Sequence, residues 1–270
     1  MLLNQDIRTR ACTLVSGSSG NSMFIANKDS QILIDAGISC KRLEHAMAAR
    51  DIWPEYLDGI LVTHEHRDHI SGLSVLARRY HIPVYMTPGT WEACRAKINR
   101  ADLIDIRFIM PKQTLTIGSM EVMAFPVSHD AADPVGFRVD TGKGNIALAS
   151  DLGEWTEAIA EEIRGADLIF LESNYDTTML WNGAYPWPLK QRIDSSFGHL
   201  SNLEAALASH HLLNMGSERF VLVHLSVNNN QPELAYEEVT SYLAHAGALA
   251  GQDYRIETAP RFEPSAWHYI

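Results

Sequence analysis

Short apolar runs alternate with longer amphipathic segments along the chain. The run Gly59–Thr63 contains several β-branched residues, which is typical of a buried strand, whereas apolar residues between Ile70 and Tyr80 recur at helical spacing. The pattern predicts strands at 11–15, 23–26, 31–34, 59–63, 83–87, 135–139, 145–150, 167–171 and 219–223. It also predicts a hairpin over 114–127 that turns at Gly118 and Ser119. It predicts helices from near Ser39, from Ile70, and over 90–98, 154–163, 201–213 and 232–246. This alternation indicates an α/β fold.

The loop that follows the strand at 59–63 is the densest group of metal-binding residue types. The stretch 60–70 contains three histidines and two carboxylates. His64 and His66 leave the strand in a tight loop, where both imidazoles can turn toward one ion, and Asp68 and His69 can face a second. Because one ion prefers about four ligands, this density predicts two ions close together. A polar loop that happens to be rich in histidine is the alternative, and the spacing H-x-H-x-D-H after a buried strand argues against it.

Further candidate ligands stand at the ends of later apolar strands. His129, Asp151 and His224 each lie at or just beyond such an end. These nitrogen and oxygen ligands suit two divalent ions of zinc, manganese or iron. Two adjacent ions can activate a water and stabilise charge on the attacked group, which indicates hydrolysis. The simplest assignment gives one ion to His64, His66 and His129, the other to Asp68, His69 and His224, and shares Asp151 between them.

Two polar segments near the N-terminus each have two interpretations. The turn-rich loop Ser16–Asn21 can present backbone N–H groups to an anion, or it can serve as an ordinary hairpin connection. Asp35 follows the strand at 31–34. There it can orient a metal-binding histidine, or it can cap the helix that begins near Ser39.

Two segments in the second half of the chain are candidates for substrate contact. The stretch 175–198 interleaves aromatic and basic residues, which can stack bases and hold phosphates, or can pack on the core or on a partner subunit. Ser201 and Glu204 form a capping box that begins a helix, and His199 precedes it. Because a helix N-terminus favours anions, His199 is a candidate phosphate ligand or general acid.

Composition restricts the class of protein. The 270 residues are 46% hydrophobic and 20% charged, which allows a large core and predicts one elaborated domain over residues 1–270. Met1–Arg8 has no export signal and no window approaches about eighteen apolar residues, so we expect neither export nor membrane insertion. Cys12, Cys40 and Cys94 form no C-x-x-C pair, which suits free thiols in a reducing cytoplasm.

The charge of the chain bears on its partners. A formal net charge of −11 argues against broad, nonspecific attraction to nucleic acid, because cationic surface drives phosphate binding. Two bound divalent ions would reverse the sign of the charge locally. The acidic composition therefore slightly favours a small-molecule substrate. The sequence leaves the oligomeric state open, and a homo-oligomer is one alternative.

The stretch Thr63–His69, together with the later His129, Asp151 and His224, resembles the motifs of the metallo-β-lactamase superfamily. The resemblance spans nearly the whole chain, with Asp35 matching the first motif. It implies a four-layer αβ/βα sandwich and metal ligands at the positions assigned above. Three segments, at 16–21, 198–202 and 224–229, further resemble the YycJ/WalJ-type proteins, which are 5′-to-3′ DNA exonucleases.

This closer resemblance implies roles for further residues. Asp68, Asp151 and His199 are expected to be catalytic. The residues expected to bind substrate are Ser18, Ser19, Asn21, His199 and Ser201. DNA is the partner that these roles imply.

Departures from other superfamily members narrow the expected activity. Asp68 stands where the common zinc-dependent lactamases carry a thiolate ligand, so antibiotic hydrolysis is not expected. His66 replaces the glutamate of the oxygen-reducing diiron relatives. The segment between Asp151 and His224 is too short for the large inserted domain of many nucleic-acid-processing members. We therefore expect a compact nuclease that holds its substrate through loops.

Three functional hypotheses follow. The first is a two-metal phosphodiesterase that acts as a 5′-to-3′ exonuclease on DNA, with an open groove lined by the 175–198 loop. The second is hydrolysis of a small ester, thioester or lactone, which predicts a closed and mainly apolar pocket. The third is a non-catalytic metal-binding regulator, and the complete set of ligands argues against it.

Overall fold

The central strands of this chain bury both of their faces. In the computed structural model, which describes residues 8–270, Ile32 and Ile34 contact one hydrophobic cluster while Leu33 between them contacts another. This follows from the alternation of side chains along a strand, and two buried faces require a layer packed on each. The segment predicted to carry no export signal lies almost entirely in residues 1–7, which are outside the described part of the chain.

The strands form two seven-stranded mixed sheets. The first sheet has the order β14-β1-β2-β3-β4-β5-β6 and the second has the order β13-β12-β11-β10-β9-β8-β7. The strands of the first sheet are β1 (Arg10–Val15), β2 (Ser22–Ala26), β3 (Gln31–Ile34), β4 (Gly59–Leu61), β5 (Val84–Met86), β6 (Ile106–Phe108) and β14 (His268–Tyr269). Those of the second are β7 (Thr114–Ile117), β8 (Met120–Pro126), β9 (Val135–Asp140), β10 (Asn145–Ala149), β11 (Leu168–Glu172), β12 (Arg219–Val223) and β13 (Arg255–Thr258).

The helices cover the outer faces of the two sheets. They are α1 (Cys40–Ala48), α2 (Arg67–Ile70), α3 (Leu73–Tyr80), α4 (Pro88–Cys94), α5 (Glu157–Ile163), α6 (Thr177–Asn182), α7 (Trp187–Ile193), α8 (Asn202–Asn214) and α9 (Pro232–His245). Single 3₁₀ turns occur at Pro54–Tyr56 and Ala101–Leu103. Within residues 8–270, no helix combines the length and the apolar character needed to cross a membrane.

Three large hydrophobic clusters show how the layers pack. The central cluster joins the inner faces of the two sheets, with Ile25 from one and Phe170 from the other. A second cluster fills the space between the first sheet and α1 and α3. A third lies between the second sheet and α5, α8 and α9. The order of layers is therefore helix, sheet, sheet, helix, which is the predicted αβ/βα sandwich.

Most predicted elements are present, and the exceptions have physical reasons. The hairpin between β7 and β8 turns at Gly118 and Ser119 as predicted, with Gly118 at a φ of 59°. The helix predicted from Ile70 is divided into α2 and α3. Strands β6, β13 and β14 were not predicted. They lie at or near the sheet edges, where mixed polar and apolar residues hide the periodicity.

The sheet topology brings several loops to one edge of the sandwich. Strands β3 to β6 are parallel, and so are β10 to β13. The carboxyl ends of parallel strands meet at the same edge of a sheet, where ligands of open α/β sheets usually bind. The loops that follow β4, β8, β10 and β12 carry the candidate ligands, and Asp35 follows β3 at the same edge.

Candidate metal centre

The histidine loop after β4 supplies four side chains to one site. His66 is the residue before α2, and Asp68 and His69 lie within that short helix. His129, which follows β8, completes a first group, since its ligand atom lies within 4.8 Å of those of His64 and His66. The structure thus brings together the three residues that the sequence assigned to one ion.

The second predicted group also forms. Ligand atoms of Asp68, His69 and His224 lie within 4.8 Å of one another, and Nε2 of His69 is 3.5 Å from Oδ2 of Asp68. Asp151 lies between the two groups, with one oxygen 3.4 Å from Nε2 of His69 and the other 3.6 Å from Nε2 of His129. This is the position that a shared carboxylate requires.

The backbone turns sharply where these strands end. Asp35, Asp151 and His224 have φ values of 61°, 57° and 59°, in the left-handed region that residues other than glycine seldom adopt. Each follows within two residues of a strand end, so the turn aims its side chain across the sheet edge. Strained backbone of this kind is frequent at functional sites.

Hydrogen bonds fix the orientation of three imidazoles. Nδ1 of His69 lies 2.8 Å from Oδ2 of Asp35, and Nδ1 of His129 lies 2.9 Å from the carbonyl oxygen of Gly198. Nδ1 of His224 lies 2.7 Å from Oε1 of Glu172. Because a carboxylate or carbonyl can only accept, each Nδ1 carries the proton and each Nε2 is left as a metal ligand.

Asp35 has the orienting role rather than the capping role. Its carboxylate accepts from the backbone N–H of Thr63 at 2.9 Å and from the Thr63 hydroxyl at 2.8 Å, in addition to His69. The residue that precedes α1 is Ser39. The orienting interpretation is therefore confirmed, and the alternative that Asp35 caps the helix is wrong.

Glu172 is the residue of this site that the sequence analysis missed. It is fully buried at the end of β11, and Oε1 accepts from Nδ1 of both His199 and His224, at 2.9 Å and 2.7 Å. Oε2 accepts from the backbone N–H groups of Leu152 and Leu200. Four donors saturate a carboxylate, so Glu172 positions the two histidines rather than binding a metal itself. A carboxylate that ends an apolar strand was the signal that could have identified it.

The chemistry of the cluster fits divalent cations. Nε2 of His64 and Nε2 of His224 are buried and have no hydrogen-bond partner, which is costly unless a ligand binds them. Asp35, Asp68, Asp151 and Glu172 supply several buried or half-buried carboxylates. Among residues 8–270, no lysine or arginine forms an ion pair with any of these four. Bound cations would supply the missing positive charge.

Burial and nearby carboxylates shift the pKa values of the clustered histidines in opposite directions. Burial lowers the pKa of His64 and of His129, which keeps both imidazoles neutral and able to bind metal. Burial also disfavours the charged form of His224, yet the carboxylates of Asp151 and Asp68 raise its pKa to about 10. Without an ion, the carboxylates therefore favour a proton on His224, and a bound cation would displace that proton.

The predicted substrate-binding residues have different surroundings. Ser18 and Ser19 are exposed at the edge of the site. The amide nitrogen of Asn21 lies 3.1 Å from Nε2 of His69, so Asn21 contacts a candidate ligand. Ser201 is buried in the capping box with Glu204, which was also predicted, and its contact with substrate stays a prediction. His199 is partly exposed beside the cluster.

The segment 175–198 packs largely on the protein itself. It forms α6 and α7 rather than an irregular loop, with Tyr175, Leu180 and Ile193 in a small hydrophobic cluster. Lys190 donates to the carbonyl oxygen of Trp181, and Arg192 pairs with Asp130. The basic residues are thus engaged within the chain, and the interpretation in which this segment packs on the core describes it better.

An open groove of about 1010 Å³ adjoins the cluster on the side of α1, α2 and α3. The residues that line it include His66, Asp68, Ser18 and Ser19. No residue of the segment 175–198 lines this groove, whereas Phe197 lines a separate cavity with Val127 and Ser128, so a groove lined by that segment stays a prediction. A second cavity, of about 20 Å³ beside His69, has room for little more than a water molecule.

Comparison with known proteins identifies the family. The family model described as a beta-lactamase superfamily domain matches residues 30–225 of the chain. The chain belongs to the beta-lactamase superfamily. Membership of this hydrolase superfamily, together with the clustered histidines and carboxylates, makes it a metal-dependent hydrolase.

Two superfamily relatives match nearly the whole chain. One is "Exodeoxyribonuclease YycJ" of Bacillus anthracis, 38% identical over 258 residues that cover 95% of this chain and 97% of the relative. The other is "Exodeoxyribonuclease WalJ" of Streptococcus pneumoniae, 37% identical over 250 residues that cover 92% and 93%. The predicted resemblance to the YycJ/WalJ-type superfamily members is confirmed.

Solved structures confirm the fold. The metallo-beta-lactamase fold protein YhfI from Bacillus subtilis aligns with a TM-score of 0.73 at 17% identity, covering 96% of this chain and 99% of that one. Unliganded yeast PDE1 aligns with a TM-score of 0.71 at 15% identity, covering 98% and 100%. At these identities the similarity shows the shared αβ/βα sandwich.

Proposed function

We propose that this chain is a metal-dependent exonuclease that hydrolyses phosphodiester bonds of DNA from the 5′ end. The observation that carries the proposal is the His/Asp cluster, which opens into a groove rather than a closed pocket. The relatives that match nearly the whole chain at 37% and 38% identity are exodeoxyribonucleases, which supports the same substrate. The 5′-to-3′ polarity rests on the resemblance to the YycJ/WalJ type.

Two divalent ions, of zinc, manganese or iron, are the proposed cofactors. When bound, such ions supply an activated water and neutralise charge that develops on the phosphate. The proposed ligands are His64, His66 and His129 for one ion, Asp68, His69 and His224 for the other, and Asp151 for both. Their nitrogen and oxygen atoms suit these metals.

The chain's own residues complete the proposed chemistry. The Nδ1–H group of His199 donates a hydrogen bond to Glu172. Nε2 is therefore the ring nitrogen that can contact a phosphate oxygen. The buried carboxylate of Glu172 holds His199 in this orientation, from which His199 can deliver a proton to the leaving oxygen. Ser18 and Ser19, exposed at the groove, are positioned to contact the strand that enters the site.

The surroundings of the site weigh against the two other hypotheses. Hydrolysis of a small ester, thioester or lactone would favour a closed and mainly apolar pocket, and the cavity beside His69 is too small for such a substrate. A non-catalytic regulator has no need of a complete ligand set in which three imidazoles are oriented by hydrogen bonds. Both remain outcomes of the test.

The test is digestion of DNA labelled at the 5′ or the 3′ end, with Mn²⁺, Zn²⁺ or a chelator. We expect metal-dependent, stepwise loss from the 5′ end, and none with Asp151→Ala. Metal-dependent hydrolysis of a p-nitrophenyl or thioester substrate with intact DNA would support the small-ester hypothesis instead. Bound metal without hydrolysis of any ester would support the regulator.

A further inference from the structure

We propose that the groove beside the metal centre holds the phosphodiester backbone of a polynucleotide strand, with Arg42, Arg67 and Lys97 as its phosphate contacts. All three side chains are exposed and line this one groove. The proposal rests on the proposed nuclease function and adds the path of the substrate away from the metal centre.

These cations are free, in contrast with others of the chain. Arg79 pairs with Glu44 and Arg192 pairs with Asp130. Within residues 8–270, Arg42, Arg67 and Lys97 form no ion pair, and no hydrogen bond of their side chains is present. Glu65 and Asp68 also line the groove, so its three free cations stand against two carboxylates, one of which is a proposed metal ligand. In a chain of net charge −11, this local excess of positive charge is suited to phosphates.

Two helix N-termini reinforce this basic character. Ser39 precedes α1 and Gly72 precedes α3, and neither helix has an acidic residue in its first turn. Ser39 and Ser74, which lie at these two ends, line the groove. The partial positive charge of both helix termini therefore adds to that of the side chains.

The arrangement favours a polymer over a small phosphate compound. Arg42, Arg67 and Lys97 come from α1, α2 and the segment after α4, so three separate elements supply cations to the groove. The volume of about 1010 Å³ is at the upper end for small-ligand pockets, which are also mostly apolar. His66 and Asp68 line the groove as well, so a strand that lies in it can reach the proposed metal ligands.

The experiment measures binding of a fluorescein-labelled, single-stranded 20-nucleotide DNA with phosphorothioate linkages by fluorescence anisotropy, over a range of salt concentrations. The groove variant is Arg42→Gln/Arg67→Gln/Lys97→Gln. Loss of three phosphate contacts reduces the slope of log Kd against log salt by about 2, and near physiological salt it raises Kd roughly 10- to 50-fold.

A matched variant controls for net charge. Arg8→Gln/Lys143→Gln/Arg255→Gln removes three exposed cations that lie outside the groove. We expect its Kd and salt slope to stay within about twofold of the wild-type values. Thermal unfolding checks that both triple variants fold. If the groove variant does not fold, Lys97→Gln alone, in an exposed segment after α4, is used instead. We expect it to reduce the slope of log Kd against log salt by about 0.7.

Hydrolysis of bis(p-nitrophenyl) phosphate by the wild-type protein is measured in parallel, because it tests the proposed function without using the groove. Equal Kd values for the groove and control variants would overturn the groove proposal, as would a wild-type protein that does not bind the oligonucleotide. A selective loss of binding by the groove variant supports it. If the wild type cleaves neither the diester nor DNA, the proposed nuclease function is wrong. The binding measurement still tests whether the groove holds a polynucleotide strand.

Discussion

At the scale of single residues, Glu172 explains how two histidines are held. Its carboxylate is buried and accepts four hydrogen bonds, two of them from His199 and His224. In Glu172→Gln one acceptor becomes an NH₂ donor that faces other donors, so we expect about a 10- to 100-fold loss of metal affinity or of kcat. Steady-state kinetics and metal titration measure both. Glu257→Gln, an exposed change in the same sheet, is the control, and a normal Glu172→Gln enzyme would exclude the positioning role.

His199 and His64 are predicted to fail in different ways. His199 is hydrogen-bonded to Glu172 and partly exposed, so His199→Ala should keep its metal and lose about 100-fold or more in kcat, as expected for a proton donor. Nε2 of His64 is buried and has no hydrogen-bond partner, so we expect the His64→Ala protein to bind less metal than the wild type. Elemental analysis beside kinetics separates the two. Loss of metal from His199→Ala would make His199 a ligand and contradict the assigned role.

At the scale of elements, one close approach joins the loop after β3 to the metal-binding helix α2. A Cβ at Gly37 would lie 1.6 Å from the carbonyl oxygen of Asp68 and 2.5 Å from the backbone nitrogen of Asn21. Gly37→Ala should therefore displace α2, lower the free energy of unfolding by about 1–3 kcal/mol or more, and weaken metal binding. Chemical denaturation and metal titration measure the two effects.

Gly216→Ala is the control for this change. Gly216 has a φ of 93° and open space around it, so its variant reports the cost of backbone conformation without a clash. We expect it to lose stability by about 1 kcal/mol and to bind metal normally. A Gly37→Ala protein with undiminished metal affinity would show that α2 tolerates the shift.

The elements also show what the sequence could predict. The ends of the strands could be predicted because buried strands are apolar and the residues that follow them are polar. These predicted ends located the histidine loop, His129, Asp151 and His224. The groove could not be predicted, because Arg42, Arg67 and Lys97 are far apart in the sequence and only the folded chain brings them to one groove. The helices at 177–182 and 187–193 were missed because each is too short to show a clear period.

At the scale of the whole molecule, the metal centre links the loops of both sheets, so metal should stabilise the fold. Histidines and carboxylates from each sheet meet there, and the carboxylates repel one another without a cation. At a metal concentration of about 100 times Kd, binding adds about 2.7 kcal/mol, which corresponds to roughly 5–10 °C in Tm. Calorimetry with and without a chelator measures the shift. Asp151→Asn should show a much smaller shift, and an unchanged wild-type Tm would mean that the site holds no metal.

The central claim is that the cluster binds two divalent ions, and elemental analysis of the purified, metal-saturated protein after desalting tests it most directly. We predict two ions for each chain in the wild type, fewer than one in Asp151→Ala, and about one in Asp68→Ala, because Asp68 is assigned to one ion alone. A wild-type protein that retains no divalent metal, or only one ion when saturated, would contradict the account.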